Sequence, residues 1–180
     1  MSKKVFGKKN IKIFIISLEI IFLAALCLLA VFTYRNSRPV AFKTSKMTVV
    51  SKDQNQGVDF KLEGIEKSTD GGKEYITVKG WVLEQGVESK TSDTIKVVLM
   101  DINTGRCYSI PTVRTSKKSL TRQYYDGNTY DDSGFEGKIK LGNEINASSE
   151  YQVLIYLKNS EGKKLVDTQT GVFGWINSHG

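Results

Sequence analysis

The stretch TIKVVLMDINTGRCYSIPTV, Thr94 to Val113, decides the fold class. Ile95, Val97 and Leu99 recur at every second position, so they share one side of an extended chain. Asn103-Thr104-Gly105 then supplies a turn, and a second β-rich run, Arg106–Val113, follows it. The stretch predicts a hairpin of strands 94–102 and 106–113.

Working outward, the same rhythm repeats. Upstream, 58–67 and 74–83 flank Thr69-Asp70-Gly71-Gly72, a hairpin turn in which the glycines adopt positive φ at little cost. Ile76, Val78 and Val82 share a side of the second of these strands. Downstream, Phe135, Ile139 and Leu141 alternate in 135–141, and Tyr151, Val153, Ile155 and Leu157 alternate in 150–158. Ser160-Glu161-Gly162 turns the chain into a last strand, 164–170. About seven short strands without a second strong helix predict a mainly β protein, an immunoglobulin-like or jelly-roll β-sandwich.

Ahead of the strands lies IFIISLEIIFLAALCLLAVF, Ile13–Phe32, with a single charge. At about 1.5 Å per residue it reaches roughly 30 Å, the thickness of a bilayer core. The run ends Ala30-Val31-Phe32-Thr33-Tyr34-Arg35 without the small-residue pattern of a cleavage site, and Leu26 precedes Cys27 where a lipoprotein signal needs a small residue. The expected organisation is a basic cytoplasmic tail 1–12, a transmembrane helix 13–34 acting as an uncleaved signal-anchor, a stalk 35–57 and an extracytoplasmic domain 58–176. Five lysines precede the helix, which places the N-terminus inside. Glu19 is costly inside a bilayer, and the reading it invites is contact with a basic group on a membrane partner.

Charge excludes one class of function. Residues 1–46 hold nine Lys/Arg against Glu19, a balance of +8, and the rest of the chain carries −1. A nucleic-acid binder concentrates basicity on its folded domain. Here it flanks the hydrophobic run, so the charge points to the lipid bilayer as a partner and to no nucleic acid.

The residues also argue against catalysis. The one histidine, His179, lies next to the end of the sequence, which leaves no material for His-based triads or the common zinc sites. Cys107 without a neighbouring base reads as a small buried hydrophobe. Asp131 and Asp132 are adjacent in a polar stretch and have no evident means of separating their pKa values. We expect no enzyme, no cofactor and no metal centre. Asp126, Asn128, Asp131 and Asp132 begin like a calcium loop, but Gly137 stands where the closing Glu should be.

One segment breaks the strand rhythm. Residues 114–134, RTSKKSLTRQYYDGNTYDDSG, read as a long polar crossover, and such loops are where binding residues concentrate. Tyr124, Tyr125 and Tyr130, with Asp126, Asn128 and Asp132, offer aromatic faces beside polar rims. That combination suits sugar rings, and these six residues form the candidate ligand site, with Trp175 as a further ring. Trp81, flanked by core strands, is expected in the interior.

Gly80-Trp81-Val82, the hairpin VVLMDINTGRCYSIP, Arg114, Asp132-Ser133-Gly134-Phe135 and the closing YQVLIY strand, Tyr151–Tyr156, carry a resemblance. Over about residues 75–172 the chain resembles bacterial extracytoplasmic β-sandwich modules attached to membrane proteins of cell-envelope polysaccharide or teichoic-acid assembly. Val82 stands where those modules have a small residue. The resemblance implies a non-catalytic envelope module.

Overall fold

The computed structural model describes residues 8–44, 47–51 and 57–172, with side chains in the first helix from residue 15 to 35. The chain divides into two units, Met1–Ser37 and Arg38–Gly180.

The first unit is helix α1, Lys8–Asn36. Within it, Ile15–Arg35 is long and apolar enough to cross a membrane, and no side chain over that span is buried. Thr33 returns its hydroxyl to the carbonyls of Leu29 and Ala30, both at 3.0 Å, so the span carries no free hydroxyl at this turn. Ser37 ends the helix by donating its N–H to Thr33 O at 3.1 Å, and Pro39 cannot continue it.

The second unit is a β-sandwich of ten strands among the described residues. They are β1 (Val40–Ala41), β2 (Thr48–Ser51), β3 (Val58–Asp70), β4 (Lys73–Glu84), β5 (Thr94–Asp101), β6 (Cys107–Ser109), β7 (Thr112–Thr115), β8 (Gly134–Lys140), β9 (Tyr151–Asn159) and β10 (Gly162–Val172). One sheet has the order β1-β6-β5-β9-β10-β2 and the other β3-β4-β8-β7. Setting aside β1, β2 and β6, the remaining seven strands fall in the order A-B-E-D against C-F-G, which is the immunoglobulin-like arrangement and not the jelly-roll one.

Alternation explains the core. Ile76, Val78 and Val82 of β4, Phe135 and Ile139 of β8, Ile95, Val97 and Leu99 of β5, Val153, Ile155 and Leu157 of β9 and Val166 of β10 meet between the sheets. The sheets approach closely at Gly137, where a Cβ would lie 2.8 Å from Val97 Cγ2. Within the four-stranded sheet, a Cβ at Gly80 would lie 2.3 Å from Lys61 O of β3. At the edge of this core, Glu84 of β4 pairs with Lys164 of β10 and accepts from Asn159 Nδ2 of β9 at 2.9 Å, so an ion pair with little exposure joins the two sheets.

Two expectations are corrected. The run 106–113 is not one strand: β6 pairs with β5, and the chain changes sheets at Ile110-Pro111, so that β7 pairs with β8. Pro111 has no N–H for a ladder. Thr112 makes good the loss, since its Oγ1 accepts from Val97 N at 3.0 Å and donates to Ile110 O at 2.9 Å.

The segment 35–57 is likewise not all stalk. Val40–Ala41 pairs antiparallel with β6 at one edge of the six-stranded sheet, and Thr48–Ser51 pairs parallel with β10 at the other. On the outer face of this sheet, Phe42 and Met47 pack on Val98, Cys107, Leu154, Tyr156 and Leu165. Phe42 sits edge-on to Tyr156 with ring centroids 5.3 Å apart, and its N–H donates to Cys107 O at 2.8 Å.

Candidate functional site

Residues 114–134 are not an open crossover. After β7 they form helix α2, Lys118–Tyr124, and a single 3-10 turn, Asp131–Ser133. Leu120 and Tyr124 are four residues apart, so they share a face of α2, and that face packs on the outer side of the four-stranded sheet. Leu83, Leu120 and Tyr130 are buried there, with Trp81 and Tyr124 packed against them. Trp81, expected in the interior, is half-buried beneath this cover and lies outside the main core.

Polar groups tie the segment down. Lys117 N donates to Asp131 O at 2.7 Å, Thr121 Oγ1 donates to Asp131 Oδ1 at 2.6 Å, and Tyr130 N donates to Thr121 Oγ1 at 2.8 Å. Tyr130 is fully enclosed; its hydroxyl donates to Asp126 Oδ2 and accepts from Gly86 N at 2.8 Å. Asp126 also accepts from Asn128 N at 3.0 Å, the short loop typical of aspartate in turns. Tyr124 lies edge-on to Tyr130 at 5.4 Å and donates to Asp59 Oδ2 at 2.8 Å, an oxygen shared with Gln85 Nε2.

Arg114 forms a second anchor below the helix. Its guanidinium donates to the carbonyls of Lys90 and Asp93, both at 2.7 Å, and to that of Asp132. Ser133, fully buried, shares a 2.7 Å hydrogen bond with Ser89. Arg114 and Ser133 thus hold the 88–93 loop to the 3-10 turn.

The six candidate ligand residues are therefore brought together, but they mostly serve the fold. Tyr130 is interior, a correction to its expected place on a ligand surface, because its ring completes the small cluster under α2. Tyr124 is half-buried and hydrogen-bonded, Asp126 is taken by Tyr130, and Asp132 offers its carbonyl to Arg114. Asn128 is half-buried. Tyr125 alone stands out: it caps α2 in the left-handed region at φ 48° and is 89% exposed. Trp175 and His179 lie outside the described residues.

The titration of this cluster follows from its geometry. The Tyr130 hydroxyl, with help from Asn128 and Gly86 N–H groups, holds the Asp126 carboxyl below its usual range. Burial first, and then the bond to Asp126, pushes Tyr130 up. Tyr124 is pushed up by burial and by Asp59. A general acid or base works best with a pKa near the working pH, and these groups move away from neutrality. Burial lowers Arg114, against the pull of Asp132 and Asp93.

No three His, Cys, Asp or Glu side chains converge as a metal-ligand set among the described residues. The carboxylates considered for calcium turn to different donors, Asp126 to Tyr130 and Asp131 to Thr121.

The residues that carried the resemblance have packing roles of their own. Gly80 lets Phe135 and the β3 backbone approach, and a Cβ at Gly134 would lie 2.4 Å from Thr115 Oγ1. Sequence reasoning missed Asp59, Gln85 and Gly86, which lie in other elements and share no motif with the loop. The spacing of Leu120 and Tyr124 was the available signal for α2.

The fold and this cluster define a class: an immunoglobulin-like β-sandwich preceded by a helix able to cross a membrane. No family model, no curated protein and no solved structure matches the chain.

Proposed function

We propose that the chain is a single-pass membrane protein of a bacterial cell envelope, with its N-terminus cytoplasmic and its sandwich outside, and that it is a non-catalytic accessory module contacting other envelope membrane proteins. The observation that carries this reading is α1, whose span Ile15–Arg35 is apolar and unburied throughout. The five leading lysines support the orientation, and the resemblance of residues 75–172 supports the envelope setting. The polar groups of segment 114–134 are engaged in holding the sandwich together, which favours an interaction module over an enzyme.

Glu19 is the residue through which the helix would find a partner, because a carboxylate in lipid is stabilised by a basic group on a neighbouring helix. Crosslinking and co-purification from intact membranes test this. Glu19→Leu should lose a membrane protein that the parent chain retains; retention of every partner would remove Glu19 from the interface.

A second reading rests on Tyr125. Its ring is the most exposed aromatic of the sandwich among the described residues, and an exposed aromatic face suits one face of a sugar. Envelope-glycan pulldown should then fall on Tyr125→Ala, and binding that survives Tyr124→Ala and Tyr125→Ala together would exclude the segment as a glycan site.

A further inference from the structure

We infer that the outer face of the six-stranded sheet docks on an anionic lipid surface through Lys96, Lys158 and Lys163. Residues directly opposite in a ladder point to the same side. Thr94, Lys158 and Lys163 are such a row, and the next row is Lys96, Tyr156, Leu165 and Val49. Tyr156 and Leu165 belong to the cluster under Phe42 and Met47, so both rows face outward. All three lysines are exposed, and none forms an ion pair among the described residues. Among the described residues no acidic side chain shares these two rows. Asp167, one row further on, accepts from Gln152, and Glu161 lies in the β9–β10 turn.

Stability alone does not explain this placement. Like charges directly opposite across a sheet destabilise it, and Lys158 faces Lys163. Tyr156, Leu165 and the edge residues Val40 and Val49 add apolar surface to this face, and the two valines are 58% and 56% exposed. Lysines bordering an apolar surface match a lipid headgroup layer, where the stems rest on the surface and the ammonium groups meet phosphate. The face also belongs to the chain's first strands: three residues, 37–39, separate the end of α1 from β1. This inference rests on the membrane-anchor reading and is independent of any protein or glycan partner.

The test uses the full chain reconstituted in vesicles of phosphatidylcholine alone or with about one-third phosphatidylglycerol. An environment-sensitive fluorophore on Ser160→Cys reports contact beside the lysines; Cys107 is buried and Cys27 lies in the helix. The expected result is a blue-shifted signal that requires phosphatidylglycerol and fades at 1 M salt, where screening acts within about 3 Å. Each lysine changed to Gln should lower the ratio of docked to undocked domain roughly fivefold, whereas Lys138→Gln with Lys140→Gln on the other sheet should not. Carbonate resistance and an unchanged Tm establish that each variant is inserted and folded. An inserted, folded chain whose signal ignores phosphatidylglycerol, or survives loss of all three lysines, would overturn the inference. So would a signal seen only in native membranes, which would assign the face to a protein.

Discussion

On the outer face of the four-stranded sheet, Leu83, Leu120 and Tyr130 are sealed by α2, and polar bonds from Asp59, Gly86, Asp126 and Asp131 pin the cover in place. On the outer face of the six-stranded sheet, Val98, Cys107, Leu154 and Leu165 are covered by Phe42 and Met47, and the backbone bond from Phe42 to Cys107 extends the β1–β6 ladder at the edge. The first cover comes from the middle of the sandwich and closes its face with directional bonds. The second comes from the segment after the helix, rests mainly on apolar contact, and leaves lysines and valines in the open. A sandwich of this kind has one face built for stability and one able to accept a surface.

The largest effect should come from breaking the closed face. Tyr130→Ala removes a fully buried aromatic and should cost about 3–5 kcal/mol in denaturant unfolding. Tyr130→Phe keeps the ring and should cost about 1 kcal/mol, the worth of its hydroxyl bonds. Next is the joint between the sheets. Glu84→Gln, which leaves Lys164 with little exposure and no partner charge, should cost about 2–3 kcal/mol and raise amide exchange on both sheets alike. Phe42→Ala should cost less, about 1 kcal/mol for a partly buried ring. Its clearer sign is chemical: burial raises the Cys107 thiol, and thiol labelling should quicken severalfold once the ring is gone, with Leu120 and Tyr130 undisturbed.

The smallest effects are those of pH. Tyr124 and Tyr130 are pushed up, so their contribution is full below the unfolded tyrosine pKa of about 10 and is lost as pH rises above it. Asp126 is held down, so its contribution is full above about pH 4 and is lost as pH falls through its lower folded value. Tyr130→Phe should flatten both limbs, while Phe42→Ala should leave them as they are. Melting temperature against pH would show the difference.

Six of the seven expected runs are strands, and β4, β5, β8 and β9 were the most legible because apolar residues at every second position face one core. The sheet change at Ile110-Pro111 was not legible, because both halves of 106–113 have the same β-rich composition and only the partner strand differs. β1 was hidden for another reason: two residues in a polar context carry no period, and pairing at a sheet edge is decided by the partner. The segment 114–134 looked open because its polar residues are the ones that fasten it. Serine, threonine, aspartate and tyrosine read the same in a binding loop and in a satisfied internal network. Burial distinguishes them, and Tyr130 has it while Tyr125 does not. The lysine group was invisible for a related reason: Lys96 is distant in sequence from Lys158 and Lys163 and joins them only through the β5-β9-β10 register.

Everything distinctive about the open face depends on the chain remaining attached to its hydrophobic helix. The most direct test is the intact mass of the 180-residue chain recovered from carbonate-washed membranes. The account predicts that it stays in the membrane pellet at its full 20.1 kDa. A shorter species that begins after Phe32 and is released by the wash would contradict it.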